Sequence, residues 1–155
     1  MTQPQHQVDE TNLRLVMNMT GTMFMMEIEP DYHGPKEVGV MVAGETELVG
    51  DWTGRVRIHV DRQLAVQYSA RLMARAVGQG EFSLEDTDCT DFICEFVNVA
   101  TGGVKSLLSG SSDFSLPQYL EDVPDVVSAD GDKVVASGWF SCDRMPIHVS
   151  VTLDA

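Results

Sequence analysis

Glu95, Asn98 and Gly102 have residue types and a spacing that suit chemistry performed on another molecule. All three lie in Glu85–Ser109, where apolar residues recur at helical intervals. With Phe92 as origin and about 100° per residue, Ile93, Phe96, Ala100, Val104 and Leu107 gather around about 80°. On the same wheel Glu95 falls at about 300°, Asn98 at about 240°, Gly102 at about 280° and Asp91 at about 260°, on the wet side. A carboxamide donates and accepts hydrogen bonds without titrating, so it can fix the orientation of a water molecule. The simplest account of such a face is a solvated surface. The glycines argue for more, because an interior helical glycine costs about 1 kcal/mol relative to alanine. Gly103 turns toward the core side and permits close packing. Gly102 turns outward, where packing gives no reason for it, and leaves bare backbone beside a carboxylate and a carboxamide. That is a surface built for close approach by another molecule.

The remaining elements must hold this helix. Residues 1–9 read as a frayed tail. Asp9, Thr11 or Asn12 can cap a first helix running to about Glu27. Its Leu13, Val16, Met17, Met23, Phe24 and Met25 form a Met-rich stripe, read most simply as a core face because Met fills irregular gaps, with a ligand groove as the alternative. A loop from Pro30 to Pro35 leads to two strands, Glu37–Gly44 and Gly54–Val60, with turn chemistry at Asp51-Trp52-Thr53-Gly54. A second helix spans Asp61–Val77, capped by Asp61 and stopped by Gly78-Gln79-Gly80. The third helix opens with Ser83 three residues before Asp86, and with Glu85, Asp86, Asp88 and Asp91 at the positive end of its dipole. It stops at Gly110. An irregular segment begins at Leu116-Pro117. Val126–Ala129 and Lys133–Phe140 flank Asp130-Gly131, a hairpin signal, and Met145–Leu153 is the last strand. Thr20-Gly21 faintly echoes Thr101-Gly102, but that alignment sets Arg14 against Glu95 and Met17 against Asn98. Neither chemistry survives there, so one site per chain is expected.

Composition narrows the function. A chain of 155 residues is one domain's length, and its net charge of −14 opposes the counterion-releasing contacts that nucleic acids require. The same charge opposes docking on an anionic membrane and favours a basic protein partner. Cys89, Cys94 and Cys142 are odd in number and form no C-x-x-C pair, so buried or half-buried thiols in a reducing cytoplasm are expected. No signal peptide is legible in Met1–Glu10. His6, His33, His59 and His148 lack metal-ligand spacing, and the strand histidines read as structural. Neither a nucleophile elbow nor a P-loop occurs.

The segment Glu95-Phe-Val-Asn98-Val-Ala-Thr-Gly102-Gly-Val-Lys105-Ser-Leu-Leu108, followed by Leu116-Pro117, resembles the E-x-x-N-x-x-x-G segment of the CheC/CheX/FliY chemotaxis phosphatases, the CheX branch above all. The likeness covers roughly residues 10–154. It implies an α/β (α+β) fold for residues 10–155, an antiparallel-rich sheet packed against long helices. It implies hydrolysis of the aspartyl phosphate of a phosphorylated CheY-like response regulator. Asn98 would orient the attacking water. Glu95 would pair with the regulator's lysine, and Gly102, Asp91 and Lys105 would contact the regulator. No cofactor of the chain's own is implied, since Mg²⁺ belongs to the receiver domain. A homodimer paired through sheet edges is also implied. The alternatives are a non-catalytic adaptor or dimerisation domain of the same fold, and a component of a motor-switch assembly.

Overall fold

Helix α1 (Glu10–Met23) starts where Asp9 caps it, the Asp9 carboxylate accepting the Asn12 N–H at 2.7 Å. The structure, a computed structural model, describes residues 5–77, 88–126 and 133–154. After α1 come β1 (Glu29–Pro30), β2 (Met41–Gly50), β3 (Thr53–Asp61), α2 (Arg62–Val77) and α3 (Thr90–Lys105). The chain closes with β4 (Ser112–Phe114), β5 (Gln118–Leu120), β6 (Val134–Cys142) and β7 (Met145–Asp154). The sheet order is β1-β6-β7-β3-β2-β4, with β5 also on β2, and every pairing is antiparallel. This is the expected mixed α/β domain.

Several boundaries differ from expectation, each for a local reason. Helix α1 ends at Met23 rather than near Glu27. The Phe24 N–H donates to Gly21 O and the Met25 N–H to Thr22 O, and Met25 takes a left-handed φ of 57°. This reversal sends Met26 and Ile28 into the core. Helix α3 begins at Thr90, where the Asp88 carboxylate accepts both the Thr90 N–H and hydroxyl at 2.8 and 2.6 Å. It ends at Lys105 rather than Ser109 because the N-terminal segment takes over the backbone there. Gln7 N–H donates to Leu107 O at 2.8 Å, and Ser109 N–H donates to Gln5 O at 2.9 Å. Within the segment expected as a frayed tail, residues 5–9 are therefore tied down, and Val8 is buried.

Strand β2 begins at Met41 and runs through Gly50, later and longer than the expected Glu37–Gly44. Strands β1, β4 and β5 were not expected; at two or three residues they show no period. The Gly78-Gln79-Gly80 stop, the Ser83–Asp86 cap and the Asp130-Gly131 turn lie outside the described residues. The hairpin seen for β6 is with β7, through Asp143-Arg144 at φ 51° and 66°.

The helices cover one face of the sheet. Val56, Ile58 and Val60 of β3 pair with Val151, Val149 and Ile147 of β7, and all six are buried; α2 and α3 pack against β2 and β3, and α1 against β6. The other face buries polar groups. His59 lies opposite His148, and the His59 Nε2–H donates to Pro124 O at 2.8 Å. Trp139 packs edge-on against His148 at 4.8 Å. Both histidine Nδ1 atoms are buried without a hydrogen-bond partner among the described residues. Burial lowers both histidines, His148 to about 4 from 6.5.

A folded-state pKa below the unfolded one means the unfolded chain binds the proton first. Stability from His148 is therefore complete above about pH 6.5 and is lost as pH falls toward 4, on the order of 3 kcal/mol in all. Thermal midpoints measured between pH 7.5 and 4 should fall through that window, and more shallowly in His148→Gln. Equal slopes in the two proteins would remove His148 as the cause. No helix among the described residues is long and apolar enough to cross a membrane.

Candidate functional site

Three contacts from beneath set the rotation of α3. A Cβ at Gly44 of β2 would lie 2.5 Å from Ile93 Cγ2 and 3.0 Å from Val97 Cγ2, so the helix rests directly on bare β2 backbone. The buried hydroxyls of Thr101 and Thr46 share a hydrogen bond of 2.8 Å. A Cβ at Gly103 would lie 2.8 Å from Val16 Cγ1, so α1 presses against the side of α3. Phe92 and Phe96 complete the seat, with Phe24 rings at 5.7 and 5.4 Å.

With those residues clamped, Asp91, Glu95, Asn98 and Gly102 are all exposed along the outer ridge of α3. The expected division between the glycines is the observed one: Gly103 faces Val16, and nothing lies within 4 Å of a Cβ at Gly102. Among the described residues, neither the Glu95 carboxylate nor the Asn98 carboxamide has a hydrogen-bond or ion-pair partner, so both are free to meet another molecule. Lys105 also lies at the surface but leans over the Phe114 ring at 5.8 Å, away from the Glu95–Asn98 turn. At the position that Asn98 occupies in the internal echo, α1 carries Met17, which is fully buried, so that position offers no counterpart of the Asn98 carboxamide.

The neighbouring thiol does not compete as a nucleophile. Cys94 is half-buried, and its Sγ–H points to Pro117 O at 3.6 Å. Burial first, then the charge of Asp91, pushes the thiol pKa up, which keeps it protonated at neutral pH. At its centre the ridge offers the Glu95 carboxylate and the non-titrating Asn98 amide, one helical turn apart, with Asp91 one turn before Glu95. That pairing suits insertion into a site on another molecule.

The two glycines separate stability from approach. Gly102→Ala should stabilise the fold by about 1 kcal/mol, since alanine is the better helix former and the site is open. Gly103→Ala must displace Val16 and should lose that gain or reverse it. Urea unfolding of the two variants checks the contrast; a destabilised Gly102→Ala protein would show that the position is not open.

A model of the family described as "Chemotaxis phosphatase CheX" matches residues 42–135, which include all of α3. A search of curated proteins found no match. Among solved structures, the chemotaxis protein CheX of Vibrio vulnificus is 23% identical, covering 92% of this chain and 93% of its own at TM-score 0.64. CheX of Borrelia burgdorferi, solved as a complex with CheY, BeF3 and Mg²⁺, is 19% identical, covering 96% of this chain and 100% of its own at TM-score 0.66. Thermotoga maritima FliY is 14% identical, covering 91% of this chain and 84% of its own at TM-score 0.53. These structural likenesses establish the shared fold, and the family model, matching more than half of the sequence, settles the assignment: the chain belongs to the CheX family of chemotaxis phosphatases.

Proposed function

We propose that the chain hydrolyses the aspartyl phosphate of a phosphorylated CheY-like response regulator, using the α3 ridge as an insert into the regulator's own site. The observation that carries this reading is the outward trio Glu95, Asn98 and Gly102, held on a helix that lies wholly inside the family match. The Borrelia relative, seen with CheY, BeF3 and Mg²⁺, supports a receiver domain as the partner class.

Phosphoryl transfer asks little covalent chemistry of a protein; it asks for positioning and charge stabilisation. The Asn98 carboxamide orients a water in line with the phosphorus. The water oxygen bonds to phosphorus as the bond to the aspartate oxygen breaks. The products are inorganic phosphate, which takes the water's protons, and a free aspartate carboxylate. Glu95 pairs with a lysine of the receiver and fixes the register of the ridge. Gly102 leaves room for a loop of the receiver, while Asp91 and Lys105 contact its rim. Mg²⁺ supplied by the receiver neutralises phosphoryl charge, and this reading assigns the chain no metal of its own. A cytoplasmic homodimer paired through sheet edges belongs to the same reading.

The test is loss of phosphate from a panel of phosphorylated receiver domains, with and without the chain. Accelerated loss from at least one receiver supports the reading. A receiver that binds tightly yet keeps its phosphate would leave an adaptor in place of an enzyme.

A further inference from the structure

We propose that an exposed methionine ridge on α1 is a second docking contact for the receiver domain engaged by α3. The inference rests on the phosphatase reading and adds to it the surface that supplies affinity. Leu15, Met19 and Met23 recur every four residues and are 60%, 70% and 71% exposed, and Met25 beyond the helix is 73% exposed. The expectation that Met23 and Met25 face the core is thus corrected; Leu13, Val16 and Met17 do so, and these do not. From Leu15 to Met26 no side chain is charged, in a chain whose net charge is −14.

The ridge lies beside the catalytic turn. Val16 meets Gly103, while Phe24 meets Phe92 and Phe96, so α1 runs antiparallel to α3. Relative to Val16, Met19 and Met23 sit at about 300° and 340°, outward and on the α3 side of the helix. In that register they flank the α3 turns that carry Glu95, Val99 and Gly102. Arg14 sits on the opposite flank, stacked on Tyr32 at 4.8 Å. At the end of the ridge, Met23, Phe24, Met25, Tyr68, Leu72 and Phe92 wall a groove of about 130 Å³, together with Arg71, whose guanidinium stacks on the Tyr68 ring at 4.5 Å.

The receiver domain is the occupant that fits. Any body that brings a phosphoaspartate to Asn98 must also lie over the neighbouring helix. Glu95 and Asn98 alone offer far less than the roughly 800 Å² per partner that a specific interface buries. An uncharged, pliable Met surface supplies the missing area at small desolvation cost and adapts to its partner. A second copy of the chain seated on this ridge would cover Glu95 and Asn98 instead.

The experiment uses the receiver that loses phosphate fastest in the panel above. Saturation kinetics on its phosphorylated form and binding to its beryllofluoride–Mg²⁺ form are compared for the full chain, Met19→Ser/Met23→Ser and Met19→Leu/Met23→Leu. These positions are exposed, so folding should be unaffected. The serine pair should raise KM and Kd about 10-fold or more with kcat within about two-fold, and the leucine pair should restore both. Unchanged KM and Kd in the serine pair would overturn the docking surface while leaving the phosphatase reading intact. A shift in oligomeric state with unchanged Kd would assign the ridge to a second copy and overturn it as well. A chain that binds no activated receiver sinks both proposals.

Discussion

Asn98→Ala should slow aspartyl-phosphate hydrolysis by about 10²–10³-fold in kcat, with binding of the beryllofluoride-activated receiver unchanged. The side chain stands alone on the outer ridge and supports no fold contact among the described residues, so its removal costs positioning and little else. The water still reaches the phosphorus, but nothing aligns it with the departing aspartate oxygen. A misplacement of about 1 Å alone can cost about 10²-fold, so Asn98→Gln, one methylene longer, should also fail to restore the rate. Glu95→Ala should behave differently, raising KM and Kd more than it lowers kcat, because an ion pair with lysine acts in the encounter as well as in the reaction. Decay of labelled phosphoreceiver under single-turnover conditions separates the two. Wild-type decay in Asn98→Ala would falsify the catalytic role of the amide.

The largest stability loss is expected beneath the ridge. Phe96 is fully buried, 5.4 Å from the Phe24 ring and 5.5 Å from the Phe92 ring, where α1 meets α3. Truncation to alanine removes most of a ring's contacts from both helices and leaves a cavity that these neighbours cannot collapse. The cost should be about 3–5 kcal/mol, a large share of the roughly 5–15 kcal/mol available to a domain. At about 2–4 °C per kcal/mol for this size, the midpoint should fall by about 6–20 °C. Phe96→Leu, which keeps part of the volume, should lose less. A change below about 1 kcal/mol in urea titrations would mean that α3 is not seated as described.

The α3 face was readable because its apolar residues keep one period and two adjacent glycines point to different sides. Gly103 found its neighbour in Val16, and Gly102 found open space. The methionines of α1 were not readable in the same way. Leu13, Leu15, Val16, Met17, Met19 and Met23 spread around more than one side of the helix, and hydrophobicity alone does not say which of them find a partner. The turn at Asp143-Arg144 carries no glycine and gives no local signal, although both residues adopt the left-handed region. The end of α3 depends on Gln5 and Gln7, about a hundred positions away, and no window of local sequence contains that information.

The hydroxyl pair between Thr46 and Thr101 works as an index pin. Turning α3 by one residue would strand both oxygens in an apolar interior, so the helix has a single angular setting. Positions 91, 95, 98 and 102 are then free to be rewritten without refolding the domain beneath them. Partner choice can drift by surface letters alone, and a designer seeking a chain for a different receiver can leave the whole underside untouched.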